Sequence, residues 1–214
     1  INVSVSGNGA HTAYVWLKDK AGNVDYTRHA TATLQYSASM PGAPNNLMAT
    51  PGAWSATNSF NLSWTNPASA AGIVGAYYKL DTPPSGPTDG TYIASANIQN
   101  IFNLKVSGDG AHTVHVWLKD AAGNVDHARR SSVVVRYDSI APGLPASFDS
   151  PSHFTGSWSN DPTVDVRWTE ASDPLSGVAG YALAWDQSPT TLPAANITTT
   201  GLTGTSPTLA EGSG

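Results

Sequence analysis

Three kinds of side chain in this sequence could do chemistry, and each occurs twice, 101 residues apart. His11 and His112 could serve in acid–base work. The runs Asp19-Lys-Ala-Gly-Asn23-Val-Asp25 and Asp120-Ala-Ala-Gly-Asn124-Val-Asp126 could supply oxygens to calcium. Tyr14 and Trp16, with His115 and Trp117, could form a stacking or packing surface. Each use makes demands that the sequence can be held to. A histidine that returns with a repeat is explained more economically by the repeat than by a single active site. No nucleophile elbow, H-E-x-x-H or Gly-rich phosphate loop accompanies it. Calcium takes about six to eight oxygens, more than either loop offers. Asp followed by Gly and Asn is the chemistry of a tight turn, because the Asp side chain accepts bonds from amides just ahead of it. Ser172-Asp-Pro-Leu-Ser-Gly177 reads the same way. The chain is therefore expected not to be an enzyme, with no catalytic, metal or cofactor residues. For the four aromatic and histidine positions two readings stay open. They form a contact surface between chains or against sugar rings, or they are covered within their own module by loops or by the stem of Lys79 or Arg136.

The elements that carry these residues follow from local pattern. Residues 7–28 and 108–129 differ at positions 8, 13, 14, 20, 26 and 27 of the first copy and agree at the other 16 of 22. In the second copy His112, Val114, Val116 and Leu118 alternate with Thr113, His115, Trp117 and Lys119, which predicts a half-buried strand with its aliphatic set toward a core. Asp120 to Asn124 then turns the chain, and Val133, Val135 and Tyr137 return at period two as an antiparallel partner. His11 and His112 fall on the core-facing parity. The same hairpin is expected in the first copy, closing at Leu34-Gln-Tyr36 after a short strand through Val3 and Val5.

A repeat of this length is the size of a whole small domain, since an immunoglobulin-type sandwich takes about 100 residues. Cysteine is absent, so packing alone must hold such modules. Charged residues make up 12% of the chain, the net charge is −5 and no basic run exists, which argues against nucleic acid or an anionic membrane as partner. No apolar stretch approaches the roughly 20 residues that span a bilayer. Residue 1 already lies within a repeat, so the absence of a signal peptide carries no weight.

Along the chain, residues 1–39 read as the C-terminal part of one module, 40–139 as a complete module, and 140–214 as the N-terminal part of a third. The junctions SASMPGAPNN (37–46) and DSIAPGLPAS (138–147) each place two prolines three residues apart, predicting stiff end-to-end connections. After each junction comes a strand ending in Trp: Phe60-Asn-Leu62-Ser-Trp64 and Val164-Asp-Val166-Arg-Trp168. Both Trp share parity with core residues. Next come AGIVGAYYKLD (71–81) and SGVAGYALAWD (176–186), which align at an offset of 105. Polar loops follow at 82–90 and 187–194, and then the strands Phe102-Asn-Leu104 and Pro207-Thr-Leu209.

This order of motifs resembles tandem fibronectin type III or bacterial immunoglobulin-like modules of secreted prokaryotic surface proteins, and the likeness runs over nearly the whole chain. The resemblance implies an all-β fold of two-sheet sandwiches, one complete and two partial. It also implies a core Trp on the second strand (Trp64, Trp168), a Tyr on the third (Tyr78 or Tyr181) and a Leu on the fifth (Leu104 or Leu209). His11 and His112 stand where that family often has a core Tyr. The expected function is structural: a segment of an extracellular or cell-surface repetitive or filament protein. Its partners would be copies of itself or adjacent repeats, head to tail. In particular, residues 1–36 are expected to pack against a copy of 142–214 outside this chain. The alternative is an ancillary module of a secreted hydrolase, acting as a spacer or binding glycans.

Overall fold

Strands alone make up the regular structure of the described residues, which are 4–186, 188, 190–192 and 194–208 of a computed structural model. The fold is all-β, and the chain divides into two compact units, residues 1–137 and 138–214.

The first unit opens with β1 (Gly9–Lys18) and β2 (Val24–Tyr36), paired antiparallel as a two-stranded sheet. A strand through Val3 and Val5 is not part of it: Val5 lies outside any strand, and Val3 lies outside the described residues. The same unit continues with β3 (Asn45–Thr50), β4 (Trp54–Ser55), β5 (Phe60–Thr65), β6 (Ile73–Leu80), β7 (Thr91–Ala94), β8 (Asn100–Leu104), β9 (Gly110–Asp120) and β10 (Ser131–Tyr137). These eight strands form two sheets, β3-β5-β8 and β4-β10-β9-β6-β7. The sheets face each other across one core. Phe60, Leu62 and Trp64 from β5, with Ile101 and Leu104 from β8, pack against Ala76, Val114, Val116, Leu118 and Val135 of the larger sheet. The alternation of these residues is what a strand with one core face requires. Trp64 is buried as its parity predicts, and its indole nitrogen donates to Asn66 Oδ1 at 2.8 Å.

β9 departs from expectation. It is not half-buried, because residues 114–118 are buried on both faces. The central strand of a sheet can be closed on its outer face by a loop of its own module, which local periodicity does not register.

In the second unit β11 (Phe148–Asp149), β12 (Asp165–Trp168) and β13 (Thr203–Thr205) form a three-stranded antiparallel sheet. It corresponds strand for strand to β3-β5-β8: Trp168 is buried as Trp64 is, and its amide donates to Leu202 O as that of Trp64 donates to Gln99 O. The fifth-strand position is shifted, however. Ser206 stands opposite Val164, where Leu104 stands opposite Phe60, and Leu209 lies outside the described residues. The stretch 176–186 matches β6 in sequence yet is not a strand. It makes only an isolated bridge, Tyr181 with Thr199. A strand needs ladder partners for its amides and carbonyls. β6 has β9 on one side and β7 on the other, and the second unit's described residues contain no counterpart of β9.

Candidate functional site

The repeated hairpin is the candidate site, and its two copies share one strand register near the open end and one turn. Residues 25–29 are strand in the first copy, whereas 126–130 are not in the second. The pairs Gly9 with Tyr36 through Val15 with Ala30 recur 101 residues later as Gly110 with Tyr137 through Val116 with Ser131. The turns coincide as well. Asp19 Oδ1 accepts from Asn23 N at 2.8 Å and Oδ2 from Asn23 Nδ2 at 2.8 Å. Asp120 accepts from the same groups of Asn124 at 2.8 and 2.9 Å. Gly22 and Gly123 occupy positive φ, 97° and 89°, where a side chain would strain the backbone. Both oxygens of each Asp are thus turned inward to close a turn. The amide bonds hold the Asp19 carboxyl below the ordinary carboxylate range, with the Asn23 side chain the largest influence. Asp173 does similar work in the second unit, its Oδ1 accepting from the amides of Leu175, Ser176 and Gly177. Among the described residues no group of three or more His, Asp or Glu is placed to hold a metal ion.

The surroundings of the two copies differ completely. In the second copy Trp117 is fully buried and His115 is 7% exposed. The two do not form a contact surface, which corrects that reading for the central module. The cover is the loop 82–90: Trp117 Nε1 donates to Pro87 O at 2.7 Å, and Tyr77 stacks on the indole at 5.5 Å. Gly90 is where the loop comes closest, since a Cβ there would lie 2.5 Å from the indole and 2.6 Å from Tyr78 O. The loop is fastened by Asp89, whose Oδ2 accepts from Lys79 Nζ at 2.8 Å and from the Ser85 amide and hydroxyl, each at 2.7 Å. These bonds, that of Lys79 first, push the Asp89 pKa far below the ordinary carboxylate range. His115 Nδ1 meets Ser132 Oγ at 2.7 Å while its Nε2 is buried without a partner. Burial, and secondarily Arg130, lower its pKa. Of the two readings the sequence left open, cover by a loop of the same module is what the central module shows, and the Gly that closes this Pro-rich loop is the residue that lets it approach.

His112 sits at the rim of the core and not within it. Its Nδ1 lies 3.1 Å from Asp81 Oδ2 and its Nε2 lies 3.0 Å from Gly108 O. His11 repeats the second contact with Gly7 O at 2.9 Å.

In the first copy the same side chains are bare. Tyr14 is 57% exposed, Trp16 50%, Val15 61% and Leu17 83%. Tyr14, Trp16, Val24, Tyr26 and His29 line a shallow hollow, with Tyr14 and His29 in edge contact at 5.2 Å. The opposite face carries Ala13, Val15, Leu17, Ala32 and Leu34, all exposed. No protein-family model matches this chain, and no curated protein matches it in sequence.

Proposed function

We propose that this chain is a structural segment of an extracellular, repetitive surface or filament protein, built from immunoglobulin-like, fibronectin III-like sandwiches joined end to end. One observation carries the reading. A 22-residue stretch recurs after 101 residues, each copy opening a hairpin with the same strand register at 9–15 with 30–36 and 110–116 with 131–137 and the same Asp–Asn turn, as a module multiplied along a chain would have. The junction supports it too. Asn124 Nδ2 donates to Ser37 O at 3.1 Å and to Ser39 O at 3.3 Å, so the turn of the central module grips the connection that precedes that module. A gripped, proline-bearing connection suits a rod that transmits load. Electron microscopy of the native parent material tests the reading. Rods or filaments with a periodic module spacing are expected, and discrete soluble particles would overturn it.

The second reading, an ancillary module that binds glycans, rests on the exposed hollow of Tyr14, Trp16, Tyr26 and His29, because aromatic faces stack on sugar rings. Titration with soluble oligosaccharides would then quench tryptophan fluorescence, and Trp16→Ala would abolish the quench.

A further inference from the structure

The connection between the first hairpin and the central module is held by both of its neighbours, and packing contributes little to it. Among the described residues β1 and β2 make no extensive contact with any other strand. Between the open end of the hairpin and the module lies a hollow of about 390 Å³. Gly9 and Tyr36 line it on the hairpin, and Ala70, Ala71, Ala121 and Ala122 on the module. Side chains this small give little apolar contact across such a gap. Modules without a large apolar interface move relative to one another by default. Here polar bonds take the place of packing. Asn8, just ahead of β1, accepts at Oδ1 from Ala38 N at 2.8 Å and donates from Nδ2 to Ser39 Oγ. Asn124, in the turn of the central module, donates to Ser37 O and Ser39 O. Residues 37–39 are therefore bonded to the hairpin and to the module at once.

From Met40 onward the connection already belongs to the module that follows it. Pro41 and Pro44 are buried, and Ser131 Oγ donates to Pro44 O. Gly42 lies so close to Pro67 that a Cβ on it would stand 3.1 Å from Pro67 Cβ. The second unit repeats this at its own entrance, where Gly143 N donates to Ser172 O at 2.9 Å and Asp138 Oδ2 accepts from Ser176 N at 3.1 Å. That leaves 37–39 as the stretch in which the backbone between hairpin and central module can turn. We propose that Asn8 and Asn124 form a two-part latch across this stretch. The latch holds the hairpin at one angle to the central module, and the junction swings once either half is lost. The next repeat carries Asp109 and Ile140 where this one carries Asn8 and Ser39. A carboxylate has no N–H and Ile has no hydroxyl, so the Asn8–Ser39 bond belongs to these residues and not to the fold. The latch deepens the structural reading above and rests on it, since a rod keeps its modules at fixed angles.

The chain has no cysteine, so pairs of introduced cysteines can carry spin labels without interference. Thr33→Cys on the hairpin and Lys105→Cys on the central module, both exposed positions, report the angle through the distance between labels. Pulsed dipolar spectroscopy of the full chain reads that distance, and one narrow distribution is expected. Asn8→Ala and Asn124→Ala should each broaden it several-fold. Asn23→Ala removes the same amide from the turn of the first copy, where it donates to Asp19, and should leave the width unchanged. A second pair, Thr91→Cys with Lys105→Cys, lies within the central module and should stay narrow in every variant, which separates swinging from unfolding. Should that pair broaden in Asn124→Ala, then Asn8→Ala, outside that module, decides alone. A parent distribution already broad, a width unmoved by Asn8→Ala, or equal broadening by Asn23→Ala would each overturn the proposal. A broad junction in parent material that still forms rods would sink this inference and spare the structural reading. A narrow junction in parent material seen as discrete particles would do the reverse.

Discussion

Trp117 and Trp16 occupy equivalent positions on one hairpin, and a loop of nine residues decides their fate. Asp89 is the fastening of that loop. Its folded pKa lies below the ordinary 3.8, so its contribution is fully present above that value and is lost as pH falls below it. Asp89→Asn should therefore weaken the cover of Trp117 at neutral pH. The measurement is hydrogen exchange at the Trp117 indole, which should quicken several-fold in the variant, and in the parent chain only in strong acid. An indole equally protected in both would mean that Pro87 and Gly90 hold the loop without Asp89. His115 works in the other pH range. Its folded pKa is depressed below 6.5, so the unfolded chain takes up the proton first. Stability then falls as pH drops from 6.5 through the folded value. His115→Gln should flatten that part of a stability-against-pH curve, measured by urea unfolding at fixed pH steps. A curve as steep as the parent's would clear His115 of the effect.

Elements built from local rules were legible in the sequence, and those that need a distant partner were not. The β9–β10 hairpin follows from Val114, Val116 and Leu118 alternating ahead of an Asp-Gly-Asn turn, all within one short window. Residues 71–81 and 176–186 share the same pattern, yet only the first forms a strand, because β9 lies beside it. Nor could parity show that Trp117 is roofed by a loop some thirty residues earlier in the chain. The candidate site was thus half legible: parity put its residues on the face of β1 and of β9 opposite the aliphatic set, but the exposure of that face differs between copies for non-local reasons. The turns offer a matched comparison of the same kind. Asp120 is fully buried and Asp19 is exposed, although both make the same bonds to Asn. Removing a buried acceptor leaves donors unpaired at a cost of about 1–3 kcal/mol. Asp120→Ala should lower the central module's unfolding free energy by that order, while Asp19→Ala should leave it unchanged. Neither substitution, nor Asp120→Asn, should alter the melting temperature's response to added calcium. A calcium-dependent rise of many degrees, lost in Asp120→Asn, would reassign the turn as a metal loop.

At the scale of the whole molecule the two units differ in how much they bury. The first encloses Phe60, Leu62, Trp64, Val114, Val116, Trp117, Leu118 and Val135 almost completely. In the second, Val166, Trp168 and Ala171 are the buried hydrophobic residues among those described. Burial of apolar area is the main favourable contribution to folding, so the second unit should open at lower denaturant than the first, and a single two-state transition should not describe the chain. Each transition has its own reporter. Trp64→Ala removes an indole from the larger core and should lower the upper transition by about 3–5 kcal/mol, the usual cost of such a cavity. The lower transition should stay in place. Trp168→Ala should erase the lower transition and leave the upper one unmoved. Urea unfolding followed by tryptophan fluorescence on the parent and both variants makes the comparison. One coincident transition, displaced equally by either substitution, would show that the two units fold as one.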